Sequence, residues 1–368
     1  MRSSQWGEET ISAGELQTQT EDAMTYQVRS ENRPNAQGLD GAVFVLWNPA
    51  TNAGAEVWPA LGFNCFRWQA VWQGQTLDLL YADPQLFHGS TPTRSGIPVL
   101  FPFPNRIAGG QYAWKGKEYQ LPCTESSGKN AIHGFAVRKP WRVVDQGADA
   151  NSAWVTGEFQ ASVDAPADRP FWPADHRIRL THRLTNAGLR LEVVVSNPDS
   201  VDLPWGLGFH PYFSVPFVSG RSEQDYWVHA ETAAWWELTD NLPSAAPEPV
   251  DEKHDLRGGR WFAGLTQDDL YTATPAPPGA RTNDLVRRGT LRQASNGLGL
   301  ELWTSPDFRE LVLFTPPHRQ AVCVEPYTCA TDAINLQARG IDAGWQVLAP
   351  GAEWRGVVEL RAPVATEK

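Results

Sequence analysis

The run Arg177–Leu184, RIRLTHRL, alternates strictly. Ile178, Leu180, His182 and Leu184 fall on one face, and Arg177, Arg179, Thr181 and Arg183 fall on the other. A period of two is that of a half-buried β-strand. Asn186-Ala187-Gly188 then turns the chain into Leu189–Ser196, LRLEVVVS, and the two runs predict a hairpin. Similar runs stand at Ala42–Trp47, Phe66–Trp72, Ala153–Phe159, Leu298–Thr304, Leu311–Phe314 and Trp354–Leu360. Sustained helical periodicity is missing, and 31 Gly and 29 Pro punctuate the chain at short intervals. The pattern predicts an all-β protein of many antiparallel strands, as a large sandwich or a barrel. The Pro-rich stretches Pro243–Pro249 and Pro275–Pro278 read as surface excursions, because strand-like segments continue unchanged on both sides. With no break in composition and no repeat of fixed period, 26–368 read as a single domain. The first 25 residues are polar and aperiodic and read as a flexible tail.

Composition narrows the function classes. The chain has 368 residues, 20% charged and 41% hydrophobic, which is a globular balance. A net charge of −11 argues against nucleic acid as a partner and suits a small neutral or weakly charged ligand. Seventeen Trp stand beside 15 Phe and 8 Tyr. Most Trp belong in the core on size alone, with a remainder available to line a carbohydrate site. Cys65, Cys123, Cys323 and Cys329 show no metal or disulfide spacing, so they read as reduced thiols. The N-terminus lacks an apolar signal segment, and no apolar run is long enough to span a bilayer. These features predict a cytoplasmic protein with no membrane partner.

Three short runs carry the candidate chemistry. LPWGLGFHPYF at Leu203–Phe213 sets His210 among small and aromatic residues. PNRIAGG at Pro104–Gly110 is followed by NAIHGF at Asn130–Phe135, which holds His133. VCVEPYT at Val322–Thr328 ends an apolar run on Glu325. A histidine and a carboxylate in ordered, mostly apolar surroundings suit general acid–base catalysis near neutral pH. Each residue has a plainer reading. A lone His is more often structural, and His182 reads as a core histidine. Glu325 stands equally well as a strand-end partner of Arg319. Asp268 and Asp269 suit a simple turn as well as a sugar-hydroxyl acceptor, composition favouring the turn. Arg106 suits a ligand clamp or a surface salt bridge. There is no HxH, HExxH, GxSxG, Walker or Rossmann motif, which predicts neither metal nor dinucleotide.

Together these segments resemble the aldose 1-epimerase (galactose mutarotase) family. The matching order is GIPVLFPFPNRIAGGQYAWKGKEYQL at Gly96–Leu121, then NAIHGF, GFHPYF, DDLY at Asp268–Tyr271, VEPYT, and the closing VLAPGAEWRGVVEL at Val347–Leu360. The resemblance implies a β-supersandwich of two large twisted, mostly antiparallel sheets with a cleft on a concave face. It implies Glu325 as general base, His210 as general acid and His133 as a second active-site histidine. It also implies Arg106, Asn105 and Asp268 as sugar contacts. The implied reaction interconverts α and β anomers of a free aldohexose, without metal or cofactor, in a monomer or homodimer. Ala131, Phe135, Ser214 and Tyr327 depart from the family pattern and bear on sugar specificity. The alternatives are a hexose-6-phosphate 1-epimerase, a non-catalytic sugar-binding protein on the same fold, and a glycoside hydrolase. The last needs two carboxylates flanking the bond. A neutral aldohexose is expected to be preferred over its 6-phosphate. Arg94 and Arg138, near the matched motifs, are the groups that would reverse that order.

Overall fold

A computed structural model describes residues 26–89, 91–218, 220 and 222–365; the tail assigned to the first 25 residues lies outside them. Two large sheets dominate. A nine-stranded sheet runs in the order Arg142–Ala148, Ser152–Gln160, Arg177–Thr185, Gly188–Ser196, Glu353–Ala365, Leu298–Thr304, Val286–Gln293, Tyr226–Ala230 and Arg260–Trp261. The second sheet has eight strands. Its path is Glu248–Pro249, Thr232–Trp236, Asp268–Ala273, Glu310–Phe314, Ala321–Tyr327, Gly208–Phe209 and Val99–Leu100, and Tyr212–Ser214 also pairs with Ala321–Tyr327. Pairing within both sheets is antiparallel. A five-stranded sheet over Gln27–Asp78 packs against the larger one.

The strand period decides which residues face the cleft. One hydrophobic core collects Leu180, Val193 and Leu302 from the larger sheet with Tyr271, Leu311, Leu313, Val322 and Val324 from the other. Alternation then sends Asp268, Val312, Phe314, Glu325 and Tyr327 to the opposite face, where all five line one open cavity. The predicted runs lie within observed strands, and the hairpin forms with Leu184 opposite Leu189. Asp268 and Asp269 differ from the turn that composition favoured. They open the strand Asp268–Ala273 and pair with Phe314 and Leu313. Short polar side chains sit there because the strand begins at the cleft rim.

His182 is a core histidine, as its position in the alternation predicts. Its ring packs on Phe63 with centroids 5.2 Å apart, its Nε2–H donates to the Phe63 carbonyl at 3.2 Å, and its Nδ1 has no partner. Burial lowers its pKa from 6.5 to about 4. The unfolded chain therefore binds more protons than the folded one between those values. The stability tied to neutral His182 is complete above about pH 6.5 and is lost as pH falls toward 4. His182→Leu is expected to remove about 2 kcal/mol of the wild-type stability loss between pH 6.5 and 5, at about 1.4 kcal/mol per unit. Urea unfolding at the two pH values measures this, and an unchanged loss would contradict it.

Candidate active site

The cavity is open and holds about 750 Å³. Two strand ladders bring the distant motifs together on its floor. In the first, Gly208 pairs with Tyr327 and Tyr212 with Cys323. That register sets His210 opposite Glu325. On the other side of the same strand, Glu325 pairs with Val312. In the second ladder, Ala131–Ile132 pairs with Arg106–Ile107, and His133 N–H donates to the Asn105 carbonyl at 2.8 Å. Asn105, His133 and Gly134 all take positive φ, at 52°, 65° and 68°. At Gly134 only glycine fits, since a Cβ there would lie 2.2 Å from the Phe101 carbonyl oxygen.

The centre is a buried pair. His210 Nε2 stands 3.3 Å from Glu325 Oε1, and Tyr327 O–H donates to Glu325 Oε2 at 2.6 Å. His210 stacks on Tyr212 with ring centroids 4.6 Å apart and meets His133 edge-on at 5.9 Å. The Tyr212 hydroxyl, donating to the Thr93 carbonyl at 2.6 Å, lies 3.4 Å from His210 Nε2. Burial is the leading cause of every large pKa change here. It lifts Glu325 well above the carboxylate range, with Asp268 adding repulsion and Tyr327 and Arg106 opposing. It lowers His210 to about 3, and lowers His133 well below 6.5 with the help of His210, Arg106 and Arg138. A proton shared by Glu325 and His210 therefore rests on the carboxyl while the cleft is empty.

Arg319 does not pair with Glu325. Its Nε donates to Glu223 at 3.2 Å and its remaining donors to the carbonyls of Leu265 and Phe262. Arg106 lines the cleft and is salt-bridged as well, with Nε 2.6 Å from Glu125 Oε1 and an N–H on Asn105 Oδ1 at 3.0 Å. Asp268 is exposed at the rim, yet the surrounding protein raises its carboxyl pKa. Among the described residues no Trp lines the cleft; the aromatic walls are Tyr81, Tyr212, Phe314 and Tyr327.

Sequence reasoning missed Glu125, which also accepts from Asn130 Nδ2 at 2.9 Å and Ser127 Oγ at 2.7 Å and so fixes Arg106. It missed His318, which stacks on Tyr81 at 4.5 Å. Neither lies in a patterned segment. The sequence also shows no metal spacing, but the fold brings ligand atoms of His210, Cys323 and Glu325 within 4.8 Å of one another. Burial holds the Cys323 thiol well above its usual pKa.

Comparisons with known proteins bear on the family and the fold. A family model described as aldose 1-epimerase matches residues 71–361. The Escherichia coli K12 protein YihR is 28% identical over 244 residues, 66% of this chain and 72% of its own length. A galactose mutarotase-like protein from Clostridium acetobutylicum superposes with a TM-score of 0.78 at 24% identity, covering 91% of this chain and 98% of that one. A galactose 1-epimerase from Lactobacillus acidophilus NCFM superposes with a TM-score of 0.69 at 15% identity, covering 92% and 98%. At these identities the two superpositions establish a shared fold.

Proposed function

Because the chain belongs to the aldose 1-epimerase family, we propose that it interconverts the α and β anomers of a free aldose by opening and closing the sugar ring. The observation that carries this reading is the 3.3 Å contact between His210 and Glu325 on the cleft floor. Burying an imidazole and a carboxyl together is costly for a protein that only binds neutral sugar, since apolar or hydroxyl groups would serve. It is useful to one that moves a proton in each direction at once.

Glu325 takes the proton from the C1 hydroxyl, and protonated His210 donates to the ring oxygen. The C1–O5 bond breaks to give the aldehyde, the C1–C2 bond rotates, and the ring closes on the other carbonyl face. Each group then recovers its starting proton state, and no atom changes oxidation state. Glu325 must enter this cycle as a carboxylate, so the resting proton has to cross to His210 when sugar binds. Tyr327 O–H and the Arg106 charge already favour the carboxylate, and the sugar's hydroxyls add donors. Arg106, Asn105 and Asp268 hold the remaining hydroxyls, and His133, neutral, supports the ring side. Proton transfer by two positioned groups is worth about 10²–10⁴-fold each, adequate for a reaction that already proceeds slowly in water.

The pH profile tests the pair as a unit. The active enzyme holds one proton on Glu325 and His210 together, and both limbs of the profile belong to the pair. The acid limb is addition of a second proton. With His210 lowered to about 3, kcat/KM is expected to stay level between pH 5 and pH 6.5, where circular dichroism shows the protein folded. Polarimetric mutarotation of glucose, galactose and xylose, corrected for the spontaneous rate, is the assay. An acid limb near 6.5 would contradict the coupled pair, and no acceleration of any aldose would contradict the function.

A further inference from the structure

We propose that one end of the cleft, lined by Arg94 and Arg138, binds an anionic substituent on C6 of the sugar. This rests on the ring-opening reading above and names the substrate class for it.

Among the described residues three arginines line the cleft, and they are not equivalent. Arg106 is neutralised by Glu125 at 2.6 Å. Arg94 and Arg138 make no ion pair or side-chain hydrogen bond among the described residues. The neighbouring carboxylate Asp83 accepts from the Gln85 amide at 2.8 Å. Both free guanidinia stand on firm bases. Pro92–Arg94 and Ala136–Arg138 are short helical turns that pack on one another, anchored by buried Pro92, Ala136 and Val137. Two forked donors, carried on adjoining turns, thus line the same cleft without an acceptor among the described residues. Arg138 is exposed to the cleft, and the protein packed about it lowers its pKa without supplying a counter-charge. Unpaired guanidinia facing a cleft offer an incoming anion charge-assisted, two-pronged hydrogen bonds.

The position fits C6. The charges of Arg138 and Arg94 bear on His133 and Tyr212, the two rings packed against His210. The Arg106 and Asp268 charges bear on Glu325. If His210 serves the ring oxygen, the carbon bonded to that oxygen on the side away from C1 is C5, which carries C6. A phosphate ester at C6 and the carboxylate of a uronic acid share this chemistry. This revises the expectation of a neutral substrate, which rested on Arg106 as the one cation placed in the cleft and on net charge. At physiological salt that long-range field is screened beyond about 8 Å, and the local arginines decide.

The test is kcat/KM for mutarotation of glucose, glucose 6-phosphate and glucuronate, in wild type, Arg94→Ala, Arg138→Ala and the double variant. At 50 mM salt an anionic sugar is expected to exceed glucose by about 10–100-fold, the range for charge-assisted hydrogen bonds. That ratio should fall toward one in the double variant and shrink at 500 mM salt. Preference for glucose 6-phosphate identifies a phosphate ester, and preference for glucuronate a uronic acid. Glucose turned over as well as both anions would overturn the proposal and leave the epimerase reading intact. So would an anionic preference indifferent to the arginine variants. If no sugar is turned over, the epimerase reading fails and thermal stabilisation decides. Stabilisation by glucose 6-phosphate but not glucose, lost in the double variant, supports the site; its absence overturns it.

Discussion

Glu325→Gln is expected to fold as the wild type does and to lose mutarotation by about 10²–10⁴-fold, the worth of one positioned proton-transfer group. The amide matches the carboxyl in shape and can still accept from Tyr327 O–H, now 2.6 Å from Oε2. It cannot take the C1 proton. Stability gives a second readout with a definite sign. Burial raises the Glu325 pKa well above 4.5, so the folded state holds that proton more tightly than the unfolded chain. The wild type therefore loses stability as pH rises from about 4.5 through the folded-state value. Glutamine has no proton to lose, so the variant should match or exceed the wild type in Tm at pH 8. A folded Gln variant with near wild-type turnover would remove Glu325 from the mechanism.

His210→Asn is expected to cost nearly as much, and His133→Asn less. The register sets His210 opposite Glu325, and its Nε2 is within proton-transfer reach. His133 touches that pair only through its ring edge on His210, 5.9 Å between centroids. Asparagine at 210 keeps a polar, smaller side chain but cannot carry the proton, so kcat should fall by about 10²-fold or more. Asparagine at 133 keeps a hydrogen-bonding group, and its positive φ of 65° suits Asn better than most residues. Its effect should fall mainly on KM. Steady-state kinetics on both variants checks the order, which is refuted if His133 proves the more damaging position in kcat.

The strands were legible because their alternation is a local property. Arg177–Leu184 and Leu189–Ser196 read directly as a hairpin, and the observed strands extend them by a residue at one end each. His182 could be placed in the core from its position in that alternation. The motif residues Asn105, Arg106, His133, His210, Asp268 and Glu325 were legible one by one, and all six line a single cavity. What the sequence could not give was how they meet. The His210–Glu325 contact depends on the cross-strand pairing of segments more than a hundred residues apart. Glu125 lies in the polar loop TESSG at Thr124–Gly128, which carries no periodic signal, and only the fold reveals that it holds Arg106. The same is true of the absent partners of Arg94 and Arg138, since a pairing is a property of space and not of spacing. Aromatic content was legible in its main reading: Trp58, Trp68, Trp172, Trp205 and Trp236 are fully buried in the core, while tyrosines and a phenylalanine line the cleft.

The central claim is that a buried imidazole and carboxyl, sharing one proton, open and reclose an aldose ring. The most direct measurement follows the optical rotation of freshly dissolved α-glucose and α-glucose 6-phosphate with increasing wild-type protein, beside Glu325→Gln at equal concentrations. The account predicts that for at least one of the two sugars the approach to anomeric equilibrium quickens in proportion to wild-type protein, reaches the same final rotation, and returns nearly to the spontaneous rate in the Gln variant. Equal rates with wild type, Gln variant and no protein, for both sugars and for the wider panel of aldoses, would contradict it.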